Sequence, residues 1–221
     1  MTATNRLIVL FFEQVPNNDE AIAACATIEH EVKKITLARR DKHSERASMW
    51  TRDPIDCLPN GRLAIDLSVA PTSHEALKAI GENLGGASYC CFGRTPLEPT
   101  LSVGGTFPGT LQLCCFRRKE GLNDAALEDL WFTHHTSVAL STQQSFGYRQ
   151  NRVLESGSPY FDGIVEEYFS EAAATDMTAF FADGHDETRM WQHIEALTKS
   201  SESFLDLNKS EVIHLTDTRL R

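Results

Sequence analysis

Two adjacent histidines, His134 and His135, stand near the end of a stretch, Asn123 to Ser141, whose apolar residues Leu127, Leu130, Trp131 and Val138 recur at helical spacing. The i, i+4 relation sets His134 beside Leu130 and His135 beside Trp131, so both imidazoles lie at the apolar edge of a helix and at least one faces protein. An imidazole with an ordinary pKa of about 6.5 suits general acid/base work at neutral pH. A core histidine satisfied by a carbonyl or carboxylate is the competing reading. Downstream, strand alternation separates Phe146, Tyr148, Gln150 and Arg152 from Gly147, Arg149, Asn151 and Val153. It likewise separates Tyr160, Asp162, Ile164, Glu166 and Tyr168 from Phe161, Gly163, Val165, Glu167 and Phe169. Assigning the polar sets to a cavity gives a wall of Tyr148, Gln150, Asp162 and Glu166. A carboxyl in such a cavity has its charged form disfavoured and its pKa raised, which fits proton transfer. Asp162 has a second reading: Asp-Gly is turn chemistry, and the carboxylate can tie down nearby backbone or Arg149.

Other chemistries find less support. Adjacent histidines cannot both aim at one ion from a single helix face, and the looser group of His185, Asp186 and His193 reads as solvated helix polarity, so no metal is expected. No residue identifies itself as a haem ligand, and no cofactor is expected. Gly81, Gly85 and Gly86 close a helix and do not open one, so they form no nucleotide cradle, and there is no Gly-x-Ser-x-Gly elbow. The six cysteines, Cys25, Cys57, Cys90, Cys91, Cys114 and Cys115, include two vicinal pairs in apolar runs and no CxxC, which reads as buried thiols in a reducing compartment. With 31 acidic residues against 21 Lys plus Arg, the net charge is -10, which disfavours nucleic acid and anionic membrane surfaces. The longest N-terminal apolar run, Leu7 to Phe12, is far short of the ~18 residues of a spanning helix, and a cytoplasmic protein is expected.

The elements that must position these residues repeat once. Strand-like runs at Arg6–Phe12, Ile35–His43, Arg62–Val69 and from Ala87 alternate with helices at about Asn18–Lys33, with Asp19 as cap, and His74–Leu84, capped by Ser73. From Leu111 the order returns: strand to Arg118, helix Asn123–Ser141, strands Ser145–Leu154 and Tyr160–Phe169, helical material Glu171–Leu197, and a strand at Glu211–Thr216. Both halves read β-α-β-β-α-β. The fold class is therefore α+β, with two tandem ferredoxin-like repeats, residues 1–91 and 109–221, joined by a Pro/Gly-rich linker at 92–108. Each repeat leaves a sheet face uncovered, so the two antiparallel sheets are expected to pack into one α/β barrel with a ligand cavity inside. The basic cluster Lys33-Lys34, Arg39-Arg40 and Lys42 reads as protection for an edge-prone strand.

In the second half, Phe116-Arg117-Arg118-Lys119-Glu120-Gly121-Leu122, Leu130-Trp131-Phe132-Thr133-His134-His135, Gly147-Tyr148-Arg149-Gln150-Asn151-Arg152 and Tyr160-Phe161-Asp162-Gly163-Ile164-Val165-Glu166-Glu167 together resemble the EthD family. That family combines a basic-Gly turn, a Trp-His helix, a Tyr-x-Gln-Asn strand and a Tyr-Asp-Gly strand in dimeric α/β barrels. The resemblance covers about residues 109–218; residues 1–108 share only the element order. It implies a barrel with an internal pocket and sets His135 above His134. It also implies chemistry of the kind associated with ether degradation or with dehydration, decarboxylation or cyclisation of aromatic polyketides. The leading expectation is a cofactor-independent lyase or cyclase acting on a small apolar compound. His135, with His134 as neighbour, would transfer the proton, Asp162 or Tyr160 would orient it, and Trp131, Tyr148, Gln150, Tyr160 and Glu166 would line the substrate site. The alternatives are a non-catalytic carrier of small hydrophobic molecules and an oxygen-using monooxygenase with or without haem. A chain that closes its own barrel has no obligation to dimerise, and a homodimer stays open.

Overall fold

The computed structural model describes residues 3–26, 28, 32–68 and 74–221. Ile8 and Leu10 point one way from the first strand and Leu7, Val9 and Phe11 the other, and all are buried, as a strand covered on both faces requires. The elements of the first half are β1 (Ala3–Phe11), α1 (Asn18–Ala24), β2 (Val32–Arg39), a 3₁₀ helix (Ser44–Trp50), β3 (Gly61–Leu67), α2 (His74–Asn83) and β4 (Ala87–Leu97). The second half has β5 (Thr110–Arg118), α3 (Asp124–Glu128), a π-helical segment (Asp129–His135), α4 (Thr136–Thr142), β6 (Ser145–Glu155) and β7 (Gly163–Phe169). It then continues with a 3₁₀ turn (Ala172–Ala174), α5 (Met177–Phe181), α6 (Glu187–Ser201) and β8 (Leu205–Arg219).

The strands close into one antiparallel barrel in the order β1-β3-β2-β8-β5-β7-β6-β4. Within it each half keeps the same sheet order, β4-β1-β3-β2 and β8-β5-β7-β6, and the seams are β2 with β8 and β4 with β6. β2 is thus paired on both sides and has no edge to protect. Two of its charges are used internally: Arg39 donates to the Pro16 carbonyl and Asn18, and Lys34 to Glu98. The expected linker also begins later, because Phe92 and Gly93 pair with Arg152 and Asn151 and β4 runs on to Leu97. The first helix stops at Ala24 and not near Lys33, since Val32 and Lys34 are drawn into register with β3. Its cap is Asn17, whose side chain accepts from the Glu20 amide while Glu20 accepts from the Asn17 amide. The expected Ser73 cap lies outside the described residues. No helix among the described residues is long and apolar enough to cross a membrane.

The lumen is packed, which corrects the expectation of a ligand cavity there. Ile8, Leu10, Tyr89, Leu113, Phe161 and Ile164 belong to its apolar part. The remainder is an ion network. Arg62 Nη2 lies 2.7 Å from Glu166 and 3.4 Å from Asp217, and Arg6 pairs with Asp66 and donates to Asn151, which donates to Glu166 at 3.0 Å. Arg149 meets Glu98 at 2.7 Å, and Tyr168 donates to Asp217 at 2.7 Å. Burial alone would raise the Glu166 carboxyl, but Arg62, Arg149 and Arg6 together hold it below the usual carboxylate range. Charges paired this way occupy the interior in which a substrate was expected and tie together strands of both halves.

Candidate active site

The outward, helix-covered sheet faces of the two halves differ in chemistry. In the first half Leu7, Val9, Phe11, Leu63 and Ile65 pack against Ala21, Leu77 and Ile80, an apolar layer with nothing to react. In the second half cross-strand register sets Tyr148 opposite Glu167, Glu167 opposite Gln112, and Gln112 opposite His214, a polar row running over β6, β7, β5 and β8. Such a row under helices requires partners or a ligand.

Part of it is satisfied internally. His214 Nδ1 pairs with Thr110 Oγ1 at 3.1 Å and its Nε2 with the Gln112 amide at 3.2 Å; burial lowers its pKa to about 4. Glu167, 8% exposed, meets only the Gln143 amide among the described residues, at 3.4 Å, and burial raises its pKa to about 7. Above this row His135 projects from the π-helical segment. There the Thr136 amide reaches back to the Trp131 carbonyl, which also receives the Thr136 hydroxyl and, at 3.4 Å, the Gln150 amide. The His135 Nδ1 pairs with Ser200 Oγ of α6 at 3.0 Å, its ring stands edge-on to Phe204 at 4.9 Å, and burial lowers its pKa to about 4. His135 is therefore neutral at pH 7, with Nε2 its uncommitted nitrogen among the described contacts.

His135, Glu167, Gln143 and Gln112 line one hollow of about 140 Å³ between the sheet and α6, walled by Val165, Leu197, Phe204 and Val212. A second hollow of about 250 Å³ adjoins it, sharing Gln112, Gln143, Leu197 and Val212 and adding Trp50, Phe180 and Phe181. Together they form an apolar cleft with a carboxyl, an imidazole and two amides, the usual makeup of a small-molecule site.

One solved structure that matches is described as a crystal structure of an anthrone oxidase-like protein, with a TM-score of 0.52 and 9% identity over all of this chain and 94% of the other. The fold is that of an α/β barrel. No protein-family model matches the chain and no curated protein matches it, so the EthD resemblance stands on the quoted residues of the second half.

The structure redistributes the residues singled out from sequence. His135 lines the cleft, whereas His134 is exposed and faces Asp129 at 3.6 Å. Tyr148 and Gln150 turn toward the helices, with Gln150 donating to Thr136 at 3.0 Å and to the Tyr148 hydroxyl at 3.1 Å. Their neighbours Arg149 and Asn151 face the lumen, so the polar wall assigned to β6 has its faces exchanged. Glu166 points inward as expected, but into the ion network. Asp162 does not orient His135: it accepts from the Arg118 amide at 2.9 Å, from Arg118 Nε at 2.6 Å and from the Tyr160 hydroxyl at 2.8 Å. Since Arg118 also reaches Asp124, Asp162 and its partner Tyr160 tie the end of β5 to the start of α3. Trp131 is fully buried against Phe116, with ring centroids 4.8 Å apart. Missed altogether were Glu167, Gln112, Gln143 and His214. The available signal was the pair Glu166-Glu167, since alternation sends two adjacent strand carboxylates to opposite faces.

Proposed function

We propose that the cleft between α6 and the second-half sheet is the active site of a cofactor-independent enzyme, one that removes a proton from carbon next to a carbonyl of a small, flat, largely apolar compound. The observation that carries this is Glu167: a carboxyl on the cleft floor, without an ionic partner, whose pKa is raised to about 7 by burial. Glu167 takes the proton, the C–H electron pair becomes the enolate, and Gln143 steadies the carboxyl. Neutral His135 serves the enolate oxygen through Nε2–H when Ser200 donates to Nδ1. Expulsion of a β-hydroxyl from the enolate, leaving as water with the proton that Glu167 took, is a dehydration; attack of the enolate carbon on a second carbonyl, whose oxygen takes that proton, is a cyclisation, so both the lyase and the cyclase reading start from this one step. The EthD-like residues and the flat ketone implied by the words anthrone oxidase-like support the same substrate class.

Anthrone, a tricyclic ketone with an acidic methylene, is a direct probe. In oxygen-free D₂O the protein should speed deuterium exchange at that methylene above the buffer rate, with a pH midpoint near 7, and Glu167→Gln should abolish the gain. Binding of anthrone with no faster exchange in the wild type would replace the enzyme reading with the carrier reading.

A further inference from the structure

The cleft belongs to the second half by its floor, but part of its wall comes from the first. After the 3₁₀ helix Ser44–Trp50 the chain crosses to β8, where the Arg52 amide donates to the Val212 carbonyl and the Val212 amide to the Arg52 carbonyl, both at 2.9 Å. Trp50 anchors this crossing: its indole N–H donates to the Ala173 carbonyl at 2.9 Å and its ring stacks on Phe180 at 4.4 Å. The crossing therefore holds Arg52 at both hollows.

The arginines around the barrel divide into ion-paired ones and ones that donate to backbone carbonyls without meeting a carboxylate among the described residues, such as Arg39, Arg117, Arg219 and Arg52; of these four, Arg52 is the one that lines the cleft. Arg6, Arg46, Arg62, Arg118, Arg149 and Arg152 each meet a carboxylate. Among the described residues Arg52 meets none, although the chain has 31 acidic residues; one arm donates to the Leu207 carbonyl at 2.9 Å. Nor does it neutralise the floor, because Gln143 is the one group opposing the burial of Glu167. The cleft thus has a base on its floor and, at its rim, a separate exposed guanidinium that no carboxylate among the described residues pairs. A guanidinium presents several donors in a planar fork that matches an oxyanion, and Arg52, itself exposed, offers that fork at the mouth of the cleft.

Resting on the proposed reading of the cleft, we infer that Arg52 is its specificity-determining residue and that the substrate carries an anionic oxygen group on the edge remote from the reacting carbon.

The test compares two probes of one ring system, 2-naphthoate and 2-acetonaphthone, titrated calorimetrically at pH 7 into the wild type, Arg52→Met and Arg52→Lys, with thermal melts confirming that the variants fold. The carboxylate should bind the wild type and weaken about tenfold or more in Arg52→Met, with Arg52→Lys in between. Added salt should weaken the carboxylate alone, and the neutral ketone should bind all three proteins equally. Equal naphthoate affinity in wild type and Arg52→Met overturns the role of Arg52. So does a wild type that binds the ketone but not the carboxylate, and in both cases the cleft stands. Failure of both probes to bind the wild type overturns the cleft reading itself.

Discussion

Replacing Glu167 by Gln should make the protein more stable in alkali, by an amount that can be worked from the site. The carboxyl is 8% exposed, and its pKa rises from the ordinary 4.5 to about 7 through burial. Below pH 4.5 it is protonated in both folded and unfolded chains and contributes nothing to the pH dependence. Between 4.5 and 7 the unfolded chain releases the proton while the folded chain keeps it, so stability falls as pH rises, by about 1.4 kcal/mol per unit. Above 7 both states are ionised and the loss is complete, about 3 kcal/mol in all. The glutamine side chain has the same shape, keeps an oxygen for the Gln143 amide and carries no titrating group, so it avoids that loss. Glu211, also raised to about 7 by burial and Asp53, titrates in both proteins and cancels in the difference. Urea unfolding at pH 5 and pH 8, followed by tryptophan fluorescence, measures the quantity. Between pH 5, where a little of the loss is already present, and pH 8, the gap between variant and wild type should move by about 2.5 kcal/mol in favour of Glu167→Gln, while exchange activity disappears. A gap that is the same at both pH values would refute the buried, unpaired carboxyl on which the functional reading depends.

Acid should expose the opposite sign at His135, whose folded pKa of about 4 lies below its ordinary 6.5. Its stabilising effect is present above pH 6.5 and is lost as pH falls toward 4, by about 3 kcal/mol; His135→Gln should make that limb shallower in melts run from pH 7 to 4.5, leaving the equal share of His214, whose pKa is also lowered to about 4. Asp162→Asn should cost about 1–3 kcal/mol by loosening Arg118, yet leave 2-acetonaphthone affinity unchanged in calorimetry, since neither residue touches the cleft. Arg62→Met strands Glu166 and Asp217 in the lumen and should cost about 3–5 kcal/mol in urea unfolding, with part of the loss recovered by adding Glu166→Gln.

The architecture was legible in the sequence because it rests on element order, and element order follows from local periodicity. The first strand, α2, the long helical stretch from Asn123 and β5 through β7 fall within a few residues of where alternation and caps put them. Closure of the barrel was legible too, as the need of each sheet for cover. Residues set by distant partners were not. The short α1, the extension of β4 to Leu97 and the loss of an edge at β2 all come from strand pairings between residues far apart in the chain.

The site shows the same division more sharply. Glu166 and Glu167 are one residue type, adjacent on one strand and both buried, yet their carboxyls behave in opposite ways. Glu166 turns into the lumen, where arginines from β1, β3 and β6 outweigh its burial and hold it ionised. Glu167 turns toward α6, where one amide is its partner and burial prevails. Nothing within ten residues of the pair distinguishes them, because the deciding cations are supplied by Arg6, Arg62 and Arg149. The polar face of a strand in a closed barrel is therefore no guide to where chemistry occurs, since charges inside the lumen can be engaged in ion pairs with one another. What identifies a reactive face is a polar group left without its counter-charge and open to a cleft, and on β7 that is Glu167, not the residues whose clustering made the opposite wall look functional.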